Sequence, residues 1–246
     1  MDPLADLQDH IPNQSIYHSA DFITRFVHAF AVSFLFIVVS ELGDKTFFIA
    51  AILAMRRPRM IVFLGSIFAL GLMHTFSVLV GMSAKLIPRY LTQTIASVLL
   101  LVFGGKMVYD GCRMKEGCEQ EEFEEVKQEV SKGETGEDEA ENGGNRITNG
   151  RIFLRRWISP VFLQAFTLTF LAEWGDRSQL TTIVLAAREE PFGITMGGIL
   201  GHSICTGLAV LGGKFLSEKI STRTVTIIGG IVFIGFALYS FIYRNS

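Results

Sequence analysis

Glu41-Leu42-Gly43-Asp44-Lys45-Thr46 returns 132 residues later as Glu173-Trp174-Gly175-Asp176-Arg177-Ser178, each copy inside a long apolar stretch. At the same offset Arg56 matches Arg188, and the runs following the two motifs, 48–56 and 180–188, are similar. Outward from these motifs, apolar stretches cover residues 22–55, 60–82, 90–109, 157–187, 192–215 and 222–243. About 20 apolar residues cross a bilayer core, and a lone strand cannot satisfy its backbone in lipid, so all six stretches read as helices. Turn signals or charges separate them: Arg56-Arg57-Pro58-Arg59, Pro88 with its basic neighbours, and Glu189-Glu190-Pro191. Such short connections make sequential spans antiparallel.

The motifs divide the chain into two units of three spans each. Three is odd, so the second unit enters the membrane from the side opposite to the first. The fold expected is therefore an all-α membrane protein, its six transmembrane helices arranged as two inverted three-helix repeats, 22–110 and 156–246. A polar N-terminal tail, 1–21, and an acidic mobile cytoplasmic loop, 111–155, complete the chain. Inverted repeats are the architecture of many secondary transporters, with ion sites near the midplane at interrupted helices.

Composition agrees, with 49% apolar residues and 24 glycines in 246 residues. The net charge of -2 hides a segregation, because 12 of the 24 acidic residues lie in 116–141, beside only Lys127 and Lys132. That segment has too little apolar surface to offset its ordering entropy, beyond a short helix over 119–130. Placing it in the cytoplasm puts Arg56, Arg57, Arg59, Lys106, Arg113, Arg155, Arg156 and Arg223 on one side. Only Arg25, Lys85, Arg89, Arg188 and Arg244 remain near span ends on the other, which satisfies the positive-inside rule. The three cysteines, Cys112, Cys118 and Cys205, form no disulfide framework or zinc motif, and the polar first twenty residues lack the pattern of a secretory signal. No nucleic-acid partner and no bound cofactor are expected.

Both motifs fall mid-span. Between Arg25 and Arg56 a straight helix would extend roughly 46 Å against a ~30 Å hydrocarbon core, so tilt, protrusion or a break at Gly43 must absorb the excess, with Gly175 in the equivalent place. On an unbroken helix Glu41, Asp44 and Lys45 would share one face. Central charges cost about 2.5–3.5 kcal/mol each even on translocon-derived scales, so these groups must pair, coordinate an ion or line water. Mutual neutralisation with Lys45 and Arg177 is the plainer reading. It leaves four carboxylates, Glu41, Asp44, Glu173 and Asp176, against two cations, a deficit that one divalent cation would fill. With the hydroxyls of Thr46 and Ser178 the ligands are all oxygen, suited to Ca²⁺ or Mn²⁺. When the ion leaves, desolvation and mutual repulsion make the carboxylates take up protons, so cation/proton exchange needs no additional residue. His74 and His202 are candidate proton relays, against the plainer role of packed core histidines, and Thr169, one turn before Glu173, is a candidate supporting residue. The span glycines, among them Gly65, Gly71, Gly197, Gly198 and Gly230, read as points of close helix contact.

The paired Glu-x-Gly-Asp-[Lys/Arg]-[Thr/Ser] motifs resemble the signature of the transmembrane protein 165 family of Golgi cation/proton exchangers, in the lysine-exporter-like superfamily. The likeness covers the membrane region from about 22 to 243. It implies transport of Mn²⁺ and Ca²⁺ against protons into the Golgi lumen, in support of glycosylation. It also implies ion binding by Glu41, Asp44, Glu173 and Asp176, with Thr46 and Ser178 beside them and Lys45 and Arg177 shaping the site. Eukaryotic members usually carry a further hydrophobic targeting segment ahead of the first span, which this sequence lacks. The competing function is a non-transporting membrane scaffold or assembly factor whose carboxylates hold a structural cation. An enzyme is not expected, because no activated nucleophile or phosphate-binding loop accompanies the carboxylates.

Overall fold

A computed structural model describes residues 11–84, 89–114, 123–128, 130–131, 159–219 and 221–242. It is helical throughout these residues: α1 (Ile11–Glu41), α2 (Lys45–Arg56), α3 (Arg59–Ser83), α4 (Arg89–Arg113), α5 (Pro160–Glu173), α6 (Arg177–Arg188), α7 (Pro191–Lys219) and α8 (Thr222–Ile242). Five of these, α1, α3, α4, α7 and α8, contain stretches long and apolar enough to cross a membrane. The fourth expected span is divided between α5 and α6, of 14 and 12 residues, about 21 and 18 Å and each too short alone. The first expected span is likewise broken, between α1 and α2, and α1 begins at Ile11, inside the stretch expected as a polar tail.

The two units grip each other reciprocally. The middle helix of the first, α3, packs on α5 and α6, while the middle helix of the second, α7, packs on α1 and α2; the third helices, α4 and α8, pair together. Small residues permit this. A Cβ built on Gly65 would lie 2.7 Å from the Phe162 carbonyl oxygen, and one on Gly197 would overlap the Phe30 carbonyl oxygen. Both contact pairs obey the offset of 132 residues that relates the motifs. Gly198 leaves room for the His74 ring and Gly104 for the backbone of Gly230, whereas Gly71, also expected at a contact, faces open space. Gly65→Ala and Gly197→Ala are thus expected to cost about 1–3 kcal/mol each through overpacking. Thermal unfolding in detergent checks this, with Gly71→Ala as the variant that shows no loss.

Lipid replaces water as the outer solvent, so α3 turns Leu64, Phe68, Leu72, Phe76 and Leu79 outward. By contrast α2 is apolar all round, and every residue from Thr46 to Ala54 is buried. One core cluster surrounds it with Val62 of α3, Ala165 of α5 and Ala209 of α7. Most of the acidic segment, including the first part of the helix expected over 119–130, lies outside the described residues. Residues 123–128 are helical, and Val126 and Val130 are 1% and 0% exposed in the α2 cluster, with Phe123 edge-on to Phe48. Valines spaced to share a helix face account for this docking, while Glu124 and Glu125 stay exposed.

Candidate functional site

Each motif is a helix break with the same construction. α1 ends at Glu41, the chain passes through Gly43 at φ 77°, and Asp44, in extended conformation, caps α2; α5 ends at Glu173, Gly175 has φ 82°, and Asp176 caps α6. Positive φ is open to glycine and costly for other residues, so the two glycines permit the breaks. The Asp44 N–H donates to the Glu41 carbonyl at 3.2 Å, and the Asp176 N–H to that of Glu173 at 3.1 Å. Within each motif the hydroxyl reaches back across the break: Thr46 Oγ1 donates to Glu41 Oε2 at 2.9 Å, and Ser178 Oγ donates to Glu173 Oε1. The glutamates are each 2% exposed, the hydroxyl residues 4%.

The breaks correct the expectation that Glu41, Asp44 and Lys45 share one helical face. Asp44 is set off from the α1 face on which Glu41 lies, and Lys45 is exposed. Its counterpart Arg177 is partly buried and sits between the motifs, 3.7 Å from Asp44 and 3.8 Å from Asp176. The two equivalent cations thus stand in unlike surroundings, Arg177 between the motifs and Lys45 at the surface.

Carboxylate oxygens of Asp44, Glu173 and Asp176 lie within 4.8 Å of one another, a potential metal-holding group drawn from both units. Glu41 is outside this group, and its Oε2 faces His202 Nδ1 at 3.9 Å. Glu41 Oε1 and Glu173 Oε2 are buried with no hydrogen-bond partner among the described residues, as is His202 Nδ1. An unsatisfied buried carboxylate oxygen is costly, and a cation or a proton removes the cost.

The supporting residues divide. The His74 and His202 rings meet edge-on at 5.5 Å, both buried, and His74 Nε2 lies 3.1 Å from the Ile194 carbonyl oxygen. Thr169 is fully buried, but its hydroxyl donates to Ser66 Oγ at 3.2 Å and ties α5 to α3. Gln179, not singled out from the sequence, accepts the Gly175 N–H at 2.8 Å and braces the second break. Its first-unit equivalent is Phe47, so the repeat carried no signal for it.

The profile of the family described as divalent cation/proton antiporter GDT1 matches residues 29–115 and 161–245, which hold both motifs. GDT1-like protein 3 of Oryza sativa subsp. indica is 45% identical over 209 residues, 84% of this chain and 71% of the relative. GDT1-like protein sll0615 of Synechocystis is 42% identical over 212 residues, 86% and 96% of the two chains. GDT1-like protein C17G8.08c of Schizosaccharomyces pombe is 38% identical over 242 residues, 90% and 83%. No solved structure shows significant similarity. These matches set aside an enzymatic role: the chain is a multi-pass membrane protein that belongs to the GDT1 family of divalent cation/proton antiporters.

Proposed function

We propose that the chain exchanges Mn²⁺ and/or Ca²⁺ for protons, with the cation held by Asp44, Glu173 and Asp176 between the broken spans and Glu41 as the fourth carboxylate of the cycle. The observation that carries this reading is the three-carboxylate group, whose members come from both units and lie within 4.8 Å. Three oxygens spread evenly around Ca²⁺ at its ~2.3–2.6 Å bond length stand at most about 4.0–4.5 Å apart, so a modest closing of the group brings all three onto one ion. Mg²⁺ demands near-ideal octahedral geometry at about 2.0–2.1 Å and gives up its waters reluctantly, which makes it the poorer fit to a group of protein carboxylates. Mn²⁺ also favours carboxylate and hydroxyl oxygen.

In this reading Thr46 and Ser178 orient the glutamates, and the unpartnered oxygens of Glu41 and Glu173 accept either the ion or protons. Lys45 and Arg177 set the charge at the site's edges, Arg177 directly. The three-span units related by 132 residues, with their reciprocal packing, support an inverted arrangement in which the site is reached from each side in turn. Residence in the Golgi membrane, the acidic segment in the cytoplasm, and supply of Mn²⁺ to glycosylation enzymes complete the proposal. Proteoliposomes test it: a proton gradient drives Mn²⁺ or Ca²⁺ uptake, and a cation gradient drives protons the opposite way. Protein of verified fold and orientation that moves neither ion would return the scaffold reading.

A further inference from the structure

Among the described residues, the approaches to the carboxylate group from the two ends of the bundle are unequal. Toward the end where α4 stops and α8 starts, a cavity of about 250 Å³ reaches Asp44 and Arg177 and is lined further by Ser40, Lys106, Asp110 and Thr226. With liquid water occupying about 30 Å³ per molecule, it has room for a divalent ion and several waters. On the other side, the space beside Glu173, His74 and His202 is about 10 Å³, at or below what one water needs.

Asp110 lies in the last turn of α4, where the helix dipole already presents partial negative charge. A carboxylate there has the wrong sign for helix stability and the right one for attracting a cation. It lines the same cavity as Asp44, whose contact with Arg177 at 3.7 Å is longer than a direct hydrogen bond. An arriving ion and the guanidinium would compete for this carboxylate.

Resting on the exchange reading above, we propose that this cavity is the cation's aqueous path from that end and that Asp110 is its receiving residue, positioning the hydrated ion for Asp44 as Arg177 gives way. Asp110 is a positioning residue here; the carboxylate group remains the binding site.

Two measurements test this. In proteoliposomes, Asp110→Asn is expected to raise the Mn²⁺ concentration for half-maximal uptake about three- to tenfold, the size of one solvent-screened charge interaction, with maximal rate retained. Asp110→Glu is expected to restore it. Second, Thr226→Cys in a background without Cys112, Cys118 and Cys205 is expected to react with a charged methanethiosulfonate from the α4 end only. Mn²⁺ is expected to slow that reaction, and Asp110→Asn to weaken the protection. A lower maximal rate at unchanged half-saturation would give Asp110 a structural role and overturn the proposal, as would a Thr226→Cys that stays unlabelled in an active protein. If the intact protein carries no flux, the exchange reading fails. The labelling then still judges the cavity, and Asp110-dependent protection would leave it as a cation path to a structural site.

Discussion

Glu173→Gln is expected to abolish proton-driven cation uptake, and Glu41→Gln to do the same by a different route. Glu173 belongs to the group proposed to hold the ion, so neutralising it is expected to remove one buried partner from a charged cluster, a loss of about 3–5 kcal/mol. That corresponds to at least a hundredfold in apparent cation affinity, read as half-saturation in uptake or as loss of Mn²⁺ protection against heat. Glu41 stands beside His202, outside the group of three, so its replacement is expected to spare more of the equilibrium binding while stopping transport. Lys45→Gln supplies the contrast. Lys45 is exposed, and a surface charge contributes about 0–1 kcal/mol, so its uptake is expected to stay within a few fold of the intact protein.

Gly175→Val, and Gly43→Val with it, are expected to be nearly as damaging although neither glycine offers a ligand side chain. At Gly175 a Cβ would meet nothing within 4 Å, so the loss cannot come from crowding. It comes from φ 82°, where a non-glycine residue is strained by about 1–2 kcal/mol and a β-branched one by more. Relief of the strain lets α5 run on toward α6 and swings Asp176 away from Asp44 and Glu173. Uptake reduced by about tenfold or more corresponds to 1.4 kcal/mol or more. Binding measured beside rate distinguishes a displaced ligand from an unfolded protein, and Gly175→Asn, a residue that tolerates positive φ, is expected to recover part of the activity.

Much of this was legible in the sequence because lipid makes charge conspicuous. Glu41 and Asp44 in an apolar run, repeated at Glu173 and Asp176, announce a buried polar site, and an adjoining glycine in both copies announces the break. The difference between the copies was not legible. Lys45 and Arg177 occupy equivalent positions, yet one is exposed and the other bridges Asp44 and Asp176. Repetition predicts equivalence, whereas packing gives equivalent residues of the two units unlike neighbours. Likewise His202 meets Glu41 through packing of α7 on α1, a contact between helices far apart in the chain. The burial of Val126 and Val130 was hidden by the acidic residues around them, since net charge says little about one face of a short helix.

The enclosure of α2 bears on how the protein is made. Its walls come from α3, from Phe123, Val126 and Val130, and from α5 and α7, so they arrive in order as the ribosome proceeds. A nascent chain that has finished α4 holds a twelve-residue apolar helix, too short to span on its own, without most of the surroundings that bury it. Insertion of the first unit is thus provisional until the second arrives, and a stall between the units leaves an intermediate that membrane chaperones or quality-control proteases can recognise. Expressed as two separate halves, the chain is expected to yield a first half that survives only when the second is made beside it.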